Sequence, residues 1–175
     1  MLEQTCEKLW ALGMKTMATV ATEQAAQAGI AELAFEERLG LLVDREWDAR
    51  ETRRLGTRLK AAQLKQPAGV EDIDFVTPRG LDRGVVLSLA GGHWIAAHQH
   101  LIVSGPTGAG KTFIACALGN AACRRGYTVA YRRVSRLLEE LALARDTGAL
   151  GPLCRRLARR CPDNCGVWGA GADVW

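Results

Sequence analysis

A parallel α/β core preceded by an all-helical region is the fold class that the sequence predicts, and three observations predict it. From Leu2 to about Lys65 there is no proline, and apolar residues recur at helical spacing, as in Leu39, Leu42 and Val43 and then Trp47, Leu55 and Leu59. After residue 81 helix-like and strand-like segments alternate. Between them a glycine-rich loop joins the short apolar run Leu101-Ile102-Val103 to a helix-forming stretch that starts at Lys111. With 175 residues, 48% of them hydrophobic, the chain can bury one compact core and a smaller appendage.

The elements follow in order. A break near Gln27 to Gly29 separates a first helix from the next, and Phe35-Glu36-Glu37-Arg38-Leu39 opens a long one running towards Leu64. Its early turns are acidic and its late turns basic, which matches the sign of the helix dipole. Gln66-Pro67-Ala68-Gly69 stops it, so residues 1–66 form the helical region, and residues 67–80, with Pro67, Pro78 and three acids, read as a linker. Residues 81–150 form the core. It opens with a helix from Leu81 towards Ala90, which Gly91-Gly92 interrupts and Trp94 to His98 resumes. Leu101 to Val103 is a buried parallel strand. Lys111 to Arg125 is a helix closed by Gly126, Tyr127 to Tyr131 a second strand, and Ser135 to Arg145 a helix with Ser135 as its N-cap. Trp10, Trp47 and Trp94 are expected to be packing anchors, and Cys116 and Cys123, seven apart on one helix, small buried hydrophobes.

Gly105-Pro106-Thr107-Gly108-Ala109-Gly110-Lys111-Thr112 fits G-x-x-x-x-G-K-[ST] in the setting that motif requires, strand before and helix after. Backbone amides in such a loop wrap phosphate oxygens, and a Cβ at Gly105 or Gly110 is expected to obstruct the turn. Lys111 supplies a point charge to the β- and γ-phosphates, Thr112 a hydroxyl to Mg²⁺, and the helix N-terminus its partial positive charge. The ligand expected is a nucleoside triphosphate, ATP with Mg²⁺.

Charge is unevenly spread. Residues 77–150 hold 9 Lys and Arg against 4 Asp and Glu, whereas residues 1–76 hold 10 against 13. The basic middle suits a polyanionic partner. Without a membrane-spanning apolar run or a signal-peptide pattern, the cytoplasm is the expected compartment and the six cysteines are expected to be reduced.

The loop and a set of segments around it resemble the IstB-like ATP-binding proteins, helper ATPases encoded beside the transposase of bacterial insertion sequences. The segments are Phe35 to Trp47, Arg50 to Leu55, Glu71 to Phe75, Arg79 to Arg83, Trp94 to Ala96, the loop with its helix to Leu118, Tyr127 to Tyr131, and Leu137 to Leu141, covering roughly residues 1–150. The resemblance implies an AAA+-like P-loop NTPase core related to DnaC-type helicase loaders. It also implies ATP and Mg²⁺ as cofactors, non-specific duplex DNA and the transposase of the same element as partners, and a homo-oligomer on DNA. On that basis Arg53, Arg54, Arg58, Lys60 and Lys65 are the candidates for DNA phosphates. Asp74 and Phe75 lie near the place where such a core frames the base.

The resemblance is incomplete. An apolar strand ending in paired acids, which holds Mg²⁺ and positions water, is expected after the helix Ser135 to Arg145. The sequence has Leu157-Ala158-Arg159-Arg160-Cys161-Pro162-Asp163-Asn164-Cys165-Gly166-Val167-Trp168-Gly169 there, which reads poorly as a strand because of Pro162 and the arginine pair. Asp163 is the one candidate catalytic acid. Residues 151–175 are an atypical tail, without the sensor and arginine-finger segment, and composition shifts from about Gly148 as it would after a change of reading frame. The core is therefore expected to be incomplete, the segment from about Gly148 poorly ordered or packed in no family-like way, and ATP bound without efficient hydrolysis. A non-catalytic remnant, a regulatory fragment and a replicative helicase loader are the alternatives. Cys154, Cys161 and Cys165 match no usual zinc spacing.

Overall fold

The computed structural model describes residues 1–78, 80–132, 134–160 and 167–169. It divides into two compact units, Met1–Gly56 and Thr57–Trp175.

The first unit begins with two helices where the sequence predicts one: α1 (Leu2–Ala11) and α2 (Lys15–Ala26). Gly13, at φ +76°, turns the chain between them, and the amides of Leu12, Gly13 and Met14 bond back to Lys8, Trp10 and Leu9. α1 and α2 lie close because the side chain between them at Ala18 is small and fully buried. Cys6 Sγ is 3.6 Å from both the Ala18 carbonyl and Thr22 Oγ1. The long helix α3 (Phe35–Ala62) begins where the sequence places it. It ends earlier than expected, at Gln63, whose φ of +52° breaks the helical run before Pro67.

Glu46 is a charged residue buried in this unit, 6% exposed. Its Oε1 accepts from Arg50 Nε at 2.7 Å and its Oε2 from the Met17 amide at 3.0 Å. The second bond satisfies one of the unpaired amides at the start of α2, a helix with no side-chain cap of its own. Arg50, with the amides of Met17 and Thr16, holds the Glu46 carboxyl below the ordinary glutamate range, against a smaller opposing effect of desolvation. A pKa lowered by folding means stability that is full above the unfolded value and is lost as pH falls through the folded one. The expected result for Glu46→Gln is a lower midpoint of helical circular dichroism at pH 7, with the gap from wild type closing in acid below the folded pKa of Glu46. A gap that is the same at pH 7 and pH 3 would show that the carboxylate contributes only its shape.

Trp10 and Trp47, expected as packing anchors, are 53% and 63% exposed. Where α3 meets the first two helices, polar groups carry part of the contact. The Gln24 amide donates to the Arg38 carbonyl at 3.4 Å, and Glu46 and Arg50 reach the Met17 amide and the Gly13 carbonyl. Trp10 faces Lys15, whose ammonium lies 5.9 Å from its ring.

The second unit takes in residues 67–80, which the sequence reads as a linker. Ala68 and Ile73 are buried in a cluster with Val86, Cys116 and Ala117, and Leu64, Val70 and Phe75 pack on it. A short 3-10 turn at Val70–Asp72 is tied to the next helices by polar contacts: Asn120 Nδ2 donates to the Ala68 carbonyl at 3.0 Å, and Arg124 joins Asn120 Oδ1 at 3.0 Å to Glu71 at 2.8 Å. α4 (Arg83–Ala90) is capped by Asp82, whose carboxylate accepts from the Val85 amide at 2.9 Å. Gly91-Gly92 interrupts it as expected. Gly92 at φ +75° starts α5 (His93–Ala96), and the Trp94 indole N–H donates to the Leu89 carbonyl at 2.9 Å.

β1 (Leu101–Val103) leads into the glycine-rich loop and α6 (Lys111–Arg124). Ala, Cys and Gly on the inner side of α6 let neighbours approach closely, and Cys116 and Cys123 are fully buried. The expected strand Tyr127 to Tyr131 does not form. Gly126, at φ +96°, turns the chain, and the Tyr131 amide bonds at 2.8 Å to the Ala62 carbonyl at the end of α3 instead of to a strand. α7 (Val134–Asp146) starts one residue before Ser135, so Ser135 lies inside the helix and is not its N-cap.

Of the tail, residues 151–160 and 167–169 are described, and they form helix and strand. α8 (Leu150–Arg160) is a formed helix with Leu153 buried against α7. β2 (Val167–Gly169) pairs parallel with β1 in the register Leu101 with Val167, Ile102 with Trp168 and Val103 with Gly169. The ladder needs only three consecutive backbone units, so Pro162 and the arginine pair, which lie outside those three, do not prevent it. No helix among the described residues is long and apolar enough to cross a membrane.

Candidate functional site: a phosphate loop at the start of α6

β1 delivers the chain to Gly105 and α6 carries it away from Gly110, so the loop is held between two packed elements. Gly108 and Gly110 stand at φ +86° and +85°, left-handed conformations that residues with a Cβ rarely adopt. The sequence suggests crowding at Gly105 and Gly110 as the reason for glycine, and at Gly105 the protein itself supplies none. A Cβ at Gly108 meets nothing within 4 Å, and one at Gly105 meets only the Ala109 Cβ, at 3.9 Å. Backbone conformation therefore favours glycine at positions 108 and 110.

Gly110 is the residue before the first turn of α6, so the amides of Lys111, Thr112 and Phe113 have no carbonyl of their own helix to bond. They form, with the helix dipole, a concentration of donors suited to an anion. The Lys111 ammonium curls over the loop and donates to the Gly105 carbonyl at 2.9 Å and the Pro106 carbonyl at 2.8 Å. This places a cation at the mouth of the loop on bonds to backbone that phosphate oxygens can replace. Thr112 sits one position further into the helix, half-buried beside it. Pro106, Thr107 and Ala109 complete the turn, in which the Ala109 amide bonds to the Pro106 carbonyl at 3.3 Å. These residues fit a triphosphate: amides at a helix start, a cation on a long side chain and no carboxylate among the eight loop positions.

Of the other sequence candidates, Arg53, Arg54, Arg58 and Lys60 lie along α3. Arg53 lies 3.6 Å from Glu46 and donates to the Ala49 carbonyl, and Arg54 is paired with Glu51 at 2.7 Å. Arg58 is half-buried near Cys123 and Gly126: burial raises the Cys123 thiol pKa, and the Arg58 guanidinium opposes that rise. Lys60 and Lys65 are exposed. Asp163, with Cys161 and Cys165, lies outside the described residues. Among the described residues no three His, Cys, Asp or Glu gather as a metal site. Asp74 and Phe75 line a cleft with Ala121, Arg124 and Arg125, at the far end of α6 from the loop. Sequence reasoning does not single out that cleft, or Arg83 in it. The signal that could have found them is the i, i+4, i+7 spacing of Arg83, Leu87 and Ala90.

The sequence matches the family of IstB-like ATP-binding proteins over residues 7–161. The match thus runs past the compositional change at Gly148 and through α8. An insertion-sequence ATP-binding protein of Sinorhizobium fredii is 44% identical over 153 residues, covering 87% of this chain and 62% of that protein. The ATP-binding protein of insertion sequence IS1162 from Pseudomonas fluorescens is 42% identical over 160 residues, covering 91% of this chain and 69% of the relative. That of insertion sequence IS21 from Pseudomonas aeruginosa is 36% identical over 124 residues, with 71% and 47% covered. The chain spans between about half and two thirds of the length of these relatives.

Proposed function

The chain belongs to the family of IstB-like ATP-binding proteins, and on that premise we propose that it is an ATP-binding helper of DNA transposition that binds duplex DNA and assists a transposase. The observation that carries this reading is the loop of residues 105–112, with two left-handed glycines and Lys111 folded over its mouth. In this reading the loop amides and the first turn of α6 hold the triphosphate, Lys111 meets the β- and γ-phosphates, and Thr112 turns its hydroxyl to Mg²⁺. The bound metal would supply charge neutralisation across the phosphates. The relatives are named as proteins of insertion sequences, which favours a transposase encoded by the same element over a replicative helicase as the partner. A role on bacterial DNA puts it in the cytoplasm, and the family resemblance adds a homo-oligomer along the duplex.

The DNA contacts proposed are phosphate contacts by Arg53, Arg54, Arg58, Lys60 and Lys65. Such contacts are independent of base sequence and weaken as salt displaces them. Replacing Arg53, Arg54 and Arg58 together by alanine is expected to weaken binding to a random duplex, and to flatten the dependence of log K on log salt by about 0.9 for each phosphate that is no longer neutralised. Lys60→Ala with Lys65→Ala is the companion variant at exposed positions, expected to act in the same direction without disturbing the packing of Arg58. If filter binding across a salt series gives parallel lines for wild type and both variants, these residues are solvated charges and the DNA surface lies elsewhere.

A further inference from the structure

A cleft of about 910 Å³ opens on the second unit, at the opposite end of α6 from the phosphate loop. One wall is α4, where Arg83, Leu87 and Ala90 fall on one side. A second is the end of α6, with Ala121, Arg124 and Arg125, and the third is the stretch holding Phe75 and Val76. Ala121 is ten residues beyond Lys111, about 15 Å along the helix axis, so the cleft and the loop are separate sites. Its volume lies within the usual range of ligand-binding clefts, about 300–1,000 Å³.

The acids of the cleft are already committed, whereas two of its cations are not. Glu71 is paired with Arg124 at 2.8 Å, and Asp74 accepts from the Val76 amide at 2.8 Å and the Thr77 amide at 3.3 Å. Arg83 lies over the Phe75 ring, 5.8 Å from its centre, and Arg125 donates Nε to the Ala90 carbonyl at 2.8 Å. Among the described residues neither Arg83 nor Arg125 has a carboxylate within 4 Å. One stands at the first residue of α4 and the other is tied to its last, so their anchoring points on the backbone are about 10 Å apart along that helix. Apolar surface lies between and beside them: Leu87 is 49% exposed and Val76 93%.

That arrangement has a matching ligand. On an α-helix, residues seven apart are two turns and about 10 Å from one another, with an apolar residue at the third or fourth position between them on the same face. We propose that the cleft is a docking groove for an amphipathic helix of a partner protein, bearing two carboxylates about two turns apart around an apolar residue. The carboxylates meet Arg83 and Arg125, and the apolar residue covers Leu87 and Val76. Duplex DNA could satisfy the arginines, but its sugar-phosphate edge would leave Leu87, Val76 and Phe75 without an apolar partner, so the groove suits protein better than nucleic acid. Resting on the reading above, the partner is the transposase of the same element.

The test uses the full chain with purified transposase in an anisotropy titration, and a random 24-base-pair duplex titrated in parallel. Arg83→Glu and Val76→Asp alter exposed positions, and ATP affinity confirms that each variant is folded. The expected result is transposase binding at least about tenfold weaker in each variant, with duplex binding kept to within about twofold. Wild-type binding of transposase with both variants equal to it would overturn the groove and leave the helper reading intact. Loss of duplex binding with transposase binding kept would make the cleft a nucleic-acid face and also overturn it. Failure of the wild type to bind transposase would remove the partner reading itself, and the groove with it.

Discussion

Lys111→Ala is expected to lower ATP affinity by about 100-fold or more, the largest single-residue effect on binding in this chain. A hydrogen bond to a charged group is worth about 1.5–3 kcal/mol, and in the proposed reading Lys111 makes more than one such bond to the β- and γ-phosphates. Each tenfold change in affinity corresponds to about 1.4 kcal/mol, so removing two bonds gives about 100-fold even at the lower figure. The substitution should leave the fold in place, because the side-chain bonds of Lys111 go to carbonyls of its own loop, Gly105 and Pro106, and not to the core. Those two bonds must break for the ammonium to reach phosphate, which costs part of the gain in wild type and none in the variant. The measured gap is therefore a lower bound on the strength of the phosphate contact. Titration calorimetry with ATP, and a thermal melt to confirm folding, decide the matter. Equal affinity in the two proteins would mean that the triphosphate does not lie on residues 105–112.

The loop was legible in the sequence because its information is local. Eight consecutive residues specify the turn, and the run before it and the helix after it can be read within a few residues on either side. The course of the long helix α3 was legible for the same reason: its apolar period and its charge order lie along one element. What could not be read depends on partners distant in the chain. Val167 to Gly169 carries a strand signal of only two residues, Val and Trp, behind Pro162 and an arginine pair, and it becomes a strand because its backbone finds β1, far earlier in sequence. Tyr127 to Tyr131 has a good strand signal, but its amide at Tyr131 is taken by the end of α3. Residues 67–80 carry the prolines and acids of a linker, yet Ala68 and Ile73 supply two of the buried side chains of the second unit. Glu46 was indistinguishable from its exposed neighbours until α2 presented its first amides to it. In each case the deciding contact is tertiary, and composition along the chain cannot report it.

The parallel pairing of β1 with β2 bears directly on catalysis. Hydrolysis on a phosphate loop requires a carboxylate near the end of a neighbouring strand, to complete the Mg²⁺ shell and to orient the attacking water. Among the described residues, the strand level with Leu101, Ile102 and Val103 brings Val167, Trp168 and Gly169, and none of these is an acid. Thr112 supplies a single hydroxyl, and a hydroxyl cannot supply the negative charge that a divalent ion requires. The expected result is therefore that the chain binds ATP while its steady-state release of phosphate does not exceed that of Lys111→Ala. Asp163, the candidate acid of the sequence, lies outside the described residues, and it is the residue on which the opposite outcome is tested. If it served as the missing carboxylate, wild type would turn over ATP with Mg²⁺, and Asp163→Asn would lose most of that rate while keeping its affinity for ATP. Split effects of this kind mark a group used in the transition state rather than in binding. A rate that is present in wild type and absent in Lys111→Ala would overturn the expectation of binding without turnover, and a cut of at least about 100-fold in Asp163→Asn would assign the missing carboxylate to that residue. A rate equal in all three proteins would not, because a contaminating ATPase is unaffected by substitutions in this chain.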